Sequence, residues 1–177
     1  MKDLRDIQLL VLDVDGVLTD GRIVLTPSGE EIKAFHVRDG SGMKYWKRCG
    51  KRLAIITGRS SPAVTVRAGE LDVDAVRLGA KDKLPAFEDI LNEMGLAASQ
   101  AAVIGDDLPD LPMILRAGLG VATADAVDEV RSAAGYVTVL RGGDGCVRET
   151  IEMILKSTGL WQSVLERYLA GDRKKPS

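Results

Sequence analysis

The sequence predicts an α/β fold in which a parallel, doubly wound β-sheet carries helices on both faces. Short apolar runs rich in Val, Ile and Leu alternate with longer amphipathic segments, which is the order of elements found in such sheets. The runs are apolar at consecutive positions rather than at every second one, which indicates strands buried on both faces. The chain has 177 residues, the length of one domain. We expect that domain over residues 1–170, followed by a flexible polar tail at 171–177.

Strands and helices are predicted in alternation along the chain. The predicted strands of the sheet are 7–14, 52–57, 74–78, 101–106, 119–123 and 136–140. The predicted helices are 41–48, 62–71, 82–94, 110–117, 125–134 and 146–157. Gly95 and Gly118 follow two of these helices, and a glycine at that position typically ends a helix.

One segment, residues 21–37, interrupts this alternation. Two strand-like runs, 21–26 and 31–37, flank a turn that contains Pro27 and Gly29. A β-hairpin is therefore predicted, and its exposed edges could pair with another chain. A simple surface flap is the alternative interpretation.

Composition argues against several classes of function. The chain has 24 Lys and Arg against 26 Asp and Glu, a net charge of −2, so no excess of positive charge favours nucleic acid or an anionic membrane. The apolar runs are too short to span a bilayer and the N-terminus does not resemble a signal peptide, so we expect a cytoplasmic protein. The two cysteines form no C-x-x-C motif, and His36 is the sole histidine, which argues against zinc sites and histidine triads.

Acidic, hydroxyl and ammonium groups follow four of the predicted strands. In chain order they are Asp13 and Asp15, then Thr57, Gly58 and Arg59, then Lys81 and Lys83, then Asp106, Asp107 and Asp110. Ligands of open parallel sheets bind at the carboxyl ends of the strands, so we expect these groups to meet in one site.

The carboxylates predict a Mg²⁺ site. Asp13 and Asp15 are two residues apart and would point the same way on a regular strand, where they repel each other unless they share a cation. With Asp106 from a neighbouring strand end, they offer the hard oxygen ligands that Mg²⁺ prefers. A single loop aspartate usually caps a turn, but several at adjacent strand ends favour a metal.

The remaining groups predict phosphoryl transfer. The Thr57 hydroxyl and a lysine ammonium supply the donors and the positive charge that a phosphate needs. Asp13 would then be a nucleophile that forms an aspartyl-phosphate. Asp15 would protonate the leaving oxygen and afterwards activate water.

Four segments resemble, in order, the four motifs of the haloacid dehalogenase superfamily of phosphatases: DVDGVLTDG (13–21), ITGR (56–59), LGAKDK (78–83) and GDDLPD (105–110). The resemblance covers nearly the whole chain and implies a Rossmann-like domain of the haloacid dehalogenase type. It implies that Asp13 is the nucleophile and Asp15 the general acid and base. It also implies that Mg²⁺ binds the Asp13 carboxylate, the main-chain carbonyl of Asp15 and Asp106.

The same resemblance assigns supporting roles. Thr57 would bind phosphate, and Lys83 would hold phosphate and nucleophile together, with Lys81 as the alternative lysine. Asp107 and Asp110 would support the metal without contacting it.

The chain is also similar to a capless subgroup, the 3-deoxy-D-manno-octulosonate 8-phosphate phosphatases. The similarity rests on the hairpin, on FHVRDGSGM (35–43) and on RGGDGCVRE (141–149), and the chain has no room for an inserted cap domain. It implies a homotetramer built through the hairpins, with a C-terminal tail that reaches a neighbour's active site. This chain departs from that pattern by an extra amphipathic stretch with Trp161, Leu165 and Leu169. The glycines of 141–149 suit either an anion-binding turn or merely a sharp one.

Arg59 bears on the choice of substrate, because a sister group that acts on nine-carbon sugar phosphates has a glutamate there. An arginine binds a sugar-acid carboxylate in a two-pronged way, whereas a glutamate repels it. We therefore favour the eight-carbon keto-acid phosphate, with Gly58, Arg59 and Arg38 facing the substrate. The alternatives are a nine-carbon keto-sugar phosphate and a non-catalytic receiver-like domain, which would not need Asp15.

Overall fold

The computed structural model describes residues 3–169, and its main feature is a six-stranded parallel sheet. The strands are β1 (Leu9–Leu12), β2 (Val24–Leu25), β3 (Glu31–Ile32), β4 (Arg52–Ile56), β5 (Ala75–Arg77), β6 (Ala101–Gly105), β7 (Leu119–Ala122) and β8 (Tyr136–Val137). The α-helices are α1 (Val37–Arg48), α2 (Pro62–Glu70), α3 (Lys83–Met94), α4 (Leu111–Arg116), α5 (Asp128–Ala133), α6 (Cys146–Ser157) and α7 (Trp161–Leu169). The sheet order is β5-β4-β1-β6-β7-β8, and every pair is parallel. The predicted doubly wound α/β fold is confirmed.

Two apolar layers cover the central strand β1, all of whose residues are buried. Leu10 and Leu12 pack in a cluster with Trp46 of α1 and Ile151 of α6. Leu9 and Val11 face the other layer, where they pack with side chains of α3 such as Phe87. This two-sided burial is the reason that the strand is apolar at consecutive positions. It also holds the carboxyl end of β1 in a rigid frame.

Residues 24–32 form the predicted hairpin as a separate two-stranded antiparallel sheet. Val24 lies opposite Ile32, and Leu25 lies opposite Glu31. The turn is closed by hydrogen bonds from the Gly29 amide to the Thr26 carbonyl and from the Thr26 amide to the Glu30 carbonyl, both 2.9 Å. The hairpin is confirmed, but its strands are shorter than predicted.

Helix α1 begins at Val37, four residues before the predicted start at Ser41, so the second hairpin strand does not extend to Val37. The run Asp39-Gly40-Ser41-Gly42 has the composition of a turn, which hides the helix in the sequence. Gly42 serves packing, since a Cβ there would lie 2.9 Å from Cδ of Arg148 on α6. Close contact with α6 therefore favours a glycine that obscures the helical pattern.

The last strand is also shorter than predicted, since β8 ends at Val137 instead of Leu140. The Glu149 carboxylate of α6 accepts hydrogen bonds from the amides of Val139 (2.9 Å to Oε1) and Leu140 (2.9 Å to Oε2). These amides therefore bond to a side chain rather than to a strand.

The extra amphipathic stretch folds as α7, which packs against α1 through Tyr45. The Tyr45 ring lies edge-on to Trp161 and Tyr168, with centroids 6.0 and 5.9 Å apart. The predicted tail, 171–177, lies outside the described residues. Within residues 3–169, the helices are all too short or too polar to span a membrane.

Candidate active site

A cleft of about 490 Å³ opens at the carboxyl ends of β1, β4 and β6. The side chains and backbone that line it come from Asp13, Asp15, Gly21, Thr57, Gly58, Arg59, Ala80, Lys81, Lys83, Asp106, Asp107, Pro109 and Asp110. Parallel strands end at the same edge of a sheet, which is why residues far apart in sequence meet here. The predicted site residues other than Arg38 therefore lie in one cleft.

Asp13 directly follows β1 and is buried. Its amide donates to the Ile104 carbonyl of β6 at 3.2 Å, which continues the parallel pairing by one residue. Lys83, the first residue of α3, donates from Nζ to Oδ1 of Asp13 and to Oδ1 of Asp110, each at 2.7 Å. Lys83 is 5 % exposed, whereas Lys81 is an exposed residue of the cleft wall. Of the two candidate lysines, Lys83 is thus the one that contacts Asp13.

Asp110 organises the loop that follows β6. Its Oδ2 accepts hydrogen bonds from the amides of Asp106 (3.1 Å) and Asp107 (3.4 Å), while its Oδ1 accepts from Lys83. Gly105 permits this approach, since a Cβ there would lie 2.3 Å from Cβ of Asp110. Both oxygens of Asp110 are occupied by donors of the protein, which suits a residue that supports the site rather than a ligand.

Asp107 has a local role. Its carboxylate accepts a hydrogen bond from the Leu108 amide at 2.8 Å and caps the short 3₁₀ turn Leu108–Asp110. The residue is exposed to solvent. It shapes the loop next to Asp106.

Oxygens of Asp13, Asp106 and Asp110 lie within 4.8 Å of one another. Burial, followed by repulsion from Asp13 and Asp110, raises the pKa of Asp106 to about 8. Burial and repulsion from Asp110 raise the pKa of Asp13 to about 6, against the opposing charge of Lys83. Burial alone would lower the pKa of Lys83, but the carboxylates of Asp13 and Asp110 outweigh it and raise that pKa.

These residues fit a divalent cation. Among residues 3–169, Oδ1 of Asp106 is buried and has no hydrogen-bond partner. The Asp106 carboxylate lies against Gly16, where a Cβ would be 2.1 Å from Oδ2. The ammonium of Lys83 contacts Asp13 and Asp110 but not Asp106, and an ion that prefers hard oxygen ligands, such as Mg²⁺, would relieve the remaining repulsion.

Asp15 lies in the cleft but outside the group of three carboxylates. The regular strand ends at Leu12 and the chain turns at Gly16, which has a φ of 100°, so the alternation expected for Asp13 and Asp15 does not apply. Oδ1 of Asp15 accepts a hydrogen bond from Nζ of Lys33. Its Oδ2 is 3.9 Å from Nε of Arg59.

Thr57, Gly58 and Arg59 follow β4 on the opposite wall of the cleft. Thr57 is buried, and its carbonyl accepts from the Ala80 amide at 3.0 Å, which ties the loops after β4 and β5 together. Arg59 donates from Nη2 to Oε1 of Glu31 at 2.9 Å. The guanidinium is half-exposed at the cleft rim.

Arg38 is the exception among the predicted site residues. It lines another cavity, of about 610 Å³, together with His36, Asp144, Arg148 and other residues near the start of α6. The reason is the early start of α1, which places Arg38 in the first turn of a helix packed on α6. Within a single chain the predicted contact of Arg38 with substrate in the Asp13 cleft is therefore not supported.

The glycine-rich loop 141–145 packs against the turn that follows Asp15. The Gly143 amide donates to the Val17 carbonyl at 2.9 Å, and a Cβ on Gly142 would lie 1.8 Å from the Gly16 carbonyl oxygen. Of the two interpretations left open, this contact favours a sharp turn that supports the turn after Asp15.

Two residues near the cleft, Glu31 and Lys33, were not predicted. They reach Arg59 and Asp15 from the hairpin, for which the sequence predicted either pairing with another chain or a simple surface flap. The available signal was the charge of both residues on either side of an apolar Ile32, a pattern that marks a strand with one polar and one apolar face.

Comparison with known proteins shows the family of this chain. Residues 77–149 match the family model described as haloacid dehalogenase-like hydrolase. The 3-deoxy-D-manno-octulosonate 8-phosphate phosphatase of Escherichia coli K12 is 44% identical over 155 residues, which is 88% of this chain and 82% of the relative. The enzyme of that name from Haemophilus influenzae is 40% identical over 156 residues, 88% of this chain and 87% of the relative.

Solved structures agree as well. The Moraxella catarrhalis 3-deoxy-D-manno-octulosonate 8-phosphate phosphatase, in complex with magnesium ion, phosphate ion and KDO, has a TM-score of 0.92 and 40% identity over 94% of this chain and 95% of that chain. A cobalt-bound form of the Haemophilus influenzae enzyme has a TM-score of 0.86 and 40% identity, over 89% and 92% of the two chains. The chain therefore belongs to the haloacid dehalogenase-like hydrolases, among the 3-deoxy-D-manno-octulosonate 8-phosphate phosphatases, and the predicted family is confirmed.

Proposed function

We propose that this protein is a Mg²⁺-dependent phosphatase that hydrolyses 3-deoxy-D-manno-octulosonate 8-phosphate to the free sugar acid and inorganic phosphate. The observation that carries the proposal is the buried arrangement of Asp13, Lys83, Asp106 and Asp110 in a cleft that also holds Asp15. Relatives of that name match this chain over most of its length.

The first step is attack by a carboxylate oxygen of Asp13 on phosphorus. A bond forms between that oxygen and phosphorus, and the bond from phosphorus to the sugar oxygen breaks. Asp15, in its protonated form, gives its proton to the leaving oxygen. The Lys83 ammonium holds Asp13 in place at 2.7 Å and offsets negative charge near the phosphoryl group.

The second step hydrolyses the aspartyl-phosphate. Asp15, now ionised, accepts a proton from a water molecule whose oxygen attacks phosphorus. The bond between phosphorus and Asp13 breaks, inorganic phosphate leaves, and both aspartates return to their starting states. Thr57 lies on the cleft wall and supplies a hydroxyl donor to the phosphate oxygens.

The carboxylates of Asp13 and Asp106 and the main-chain carbonyl of Asp15 would hold Mg²⁺. When bound, the ion neutralises charge on the phosphoryl oxygens and orients them for attack. The unpartnered Oδ1 of Asp106 and the raised pKa of that residue support this assignment. Asp107 and Asp110 keep the loop that carries Asp106 in place.

Arg59 supports a keto-acid substrate. Its guanidinium lies at the rim, 47 % exposed, and is oriented by Glu31. It would bind the sugar-acid carboxylate at the end of the molecule remote from the phosphate. Gly58, which has no side chain, lines the wall beside it and leaves room for the sugar.

We further propose that the enzyme is a homotetramer assembled through its hairpins. Val24 and Ile32 lie opposite each other in the hairpin and are each about half-exposed, an apolar surface that a second chain would cover. In such an assembly, neighbouring chains would cover the cleft. They would thereby exclude water from the reacting phosphoryl group without a cap domain.

A cytoplasmic location is proposed as well. Cys49 and Cys146 are both free in the described part of the chain, which suits a reducing compartment. Fractionation of cells with an antibody against the protein tests it, and recovery in another fraction would contradict it.

The central experiment is a panel of sugar phosphates assayed with and without Mg²⁺, including the eight-carbon and nine-carbon keto-acid esters. We expect the eight-carbon ester to be the best substrate and EDTA to abolish phosphate release. Asp13→Asn should lose activity at least about a thousandfold, because the nucleophile is gone. Undiminished turnover in Asp13→Asn, or no release from any ester, would contradict the proposed function.

A further inference from the structure

The segment 31–33, which leaves β3 after Ile32, buries its charged side chains and exposes its apolar one. The side chain of Lys33 is 2 % exposed and that of Glu31 is 12 % exposed, while Ile32 is 53 % exposed. The hairpin thus turns its charges toward the body of the domain.

Lys33 directs a buried ammonium at Asp15. Its Nζ donates to Oδ1 of Asp15 and lies 3.3 Å from Oε1 of Glu31. A buried ammonium needs such partners, because leaving water without them is costly. Lys33 thus contacts Asp15 from the hairpin, and Asp15 itself lines the Asp13 cleft.

The two oxygens of Asp15 therefore differ. Oδ1 is fixed by Lys33, whereas Oδ2, within residues 3–169, is buried and has no hydrogen-bond partner. Nε of Arg59 lies 3.9 Å from this oxygen. A carboxyl group that exchanges a proton with substrate needs this asymmetry, one oxygen held and the other available.

We infer that Lys33 is a positioning residue for Asp15: by holding Oδ1 it presents Oδ2 to the leaving oxygen of the substrate. The inference rests on the proposed function, because it takes Asp15 as the group that protonates that oxygen. It makes the hairpin part of the catalytic machinery within one chain, in addition to its proposed role in assembly.

The test compares two esters that differ in their need for a proton. A sugar alkoxide leaves only when protonated, whereas 4-nitrophenolate leaves without help. In Lys33→Met, kcat for the octulosonate ester should fall by about tenfold to a hundredfold, part of the roughly 10²–10⁴-fold that general acid–base catalysis supplies, with KM little changed. The single-turnover burst of 4-nitrophenol from 4-nitrophenyl phosphate should change much less. Lys33→Arg, which keeps the charge, should restore part of kcat.

Lys47→Met is the matched control, because Lys47 pairs with Asp74 at 2.6 Å just before β5, at the opposite edge of the sheet. It should leave both reactions unchanged. The double variant Asp15→Asn with Lys33→Met should be no slower than Asp15→Asn alone, since Lys33 acts through Asp15. Lys33→Gln gives the same comparison if the methionine variant folds poorly.

Equal losses on the two esters, or losses that multiply in the double variant, would overturn the inference. Normal kcat in the Lys33 variants, with Asp15→Asn impaired, would overturn it and leave the proposed function standing. A wild-type chain inactive on both esters would overturn the proposed function and the inference together.

Discussion

Protonation of Asp106 should compete directly with Mg²⁺ binding. Burial and its acidic neighbours raise its pKa to about 8, far above the ordinary 3.8, so the metal-free folded protein disfavours the ionised form. A carboxyl group whose pKa is higher in the folded than in the unfolded protein loses its proton more easily on unfolding. The free energy of unfolding therefore falls as the pH rises from the unfolded-state pKa to the folded-state pKa. The metal-free protein should therefore lose stability from about pH 4 to about pH 8 on this account.

We predict that Mg²⁺ raises the Tm more at pH 8.5 than at pH 6. Below pH 8 the ion must displace a proton from Asp106, so its affinity falls as the pH falls. When the free Mg²⁺ concentration is a hundred times its Kd, binding stabilises the folded protein by about 2.7 kcal/mol. Thermal melts at the two pH values, with and without Mg²⁺, measure the effect. Asp106→Asn is the control and should abolish it; an equal shift at both pH values would contradict the prediction.

Most individual site residues could be predicted because each lies at a strand end and carries chemistry suited to phosphate or Mg²⁺. Lys83, Asp106 and Asp110 were expected in one site and do lie together. Arg38 lines another cavity of this chain, because its position depends on where α1 begins. Lys33 was missed, because the alternation of charged and apolar residues at 31–33 indicates a polar side of the hairpin but not that this side faces the cleft.

At the scale of elements, the loop 141–145 and the turn after Asp15 support each other through backbone contact. The loop approaches so closely that a Cβ on Gly142 would lie 1.8 Å from the Gly16 carbonyl oxygen and 3.2 Å from the Val17 amide nitrogen. Both neighbours are backbone, which cannot rotate away as a side chain would. The position of Asp15 thus depends on a glycine more than a hundred residues further along the chain.

We predict that Gly142→Ala destabilises the protein by about 1–3 kcal/mol and lowers kcat. The matched control is Gly69→Ala in α2, where a Cβ meets no heavy atom within 4 Å; alanine should stabilise that helix by up to about 1 kcal/mol. Urea denaturation and steady-state assays of both variants measure these changes. A Gly142→Ala protein as stable and as active as the wild type would contradict the prediction, because it would show that the loop can move to accommodate a Cβ.

At the scale of the whole molecule, the hairpin presents an apolar surface that the domain does not cover. Ile32 and its cross-strand partner Val24 are 53 % and 48 % exposed, side by side on a small sheet outside the main one. A two-stranded sheet is marginally stable alone, and contact with other copies would stabilise it. This surface is the physical basis of the proposed homotetramer.

We predict a solution mass near four chains by light scattering. Val24→Asp should dissociate the assembly, because it places a charge in the apolar contact. Leu115→Asp on α4, where the leucine is 67 % exposed, is the control and should leave the mass unchanged. A wild-type monomer, or a tetramer that survives Val24→Asp, would contradict assembly through this face.

The sequence by itself determined the architecture and the family, because apolar runs and strand-end residues are local features that parallel topology brings to one edge. The tertiary structure alone decided which groups touch: Lys83 rather than Lys81 on Asp13, Asp110 on the Asp106 loop, Lys33 on Asp15, and Arg38 on another cavity. These contacts depend on how a hairpin and a glycine loop pack against the cleft. Such packing joins residues distant in the chain, and no local pattern records it.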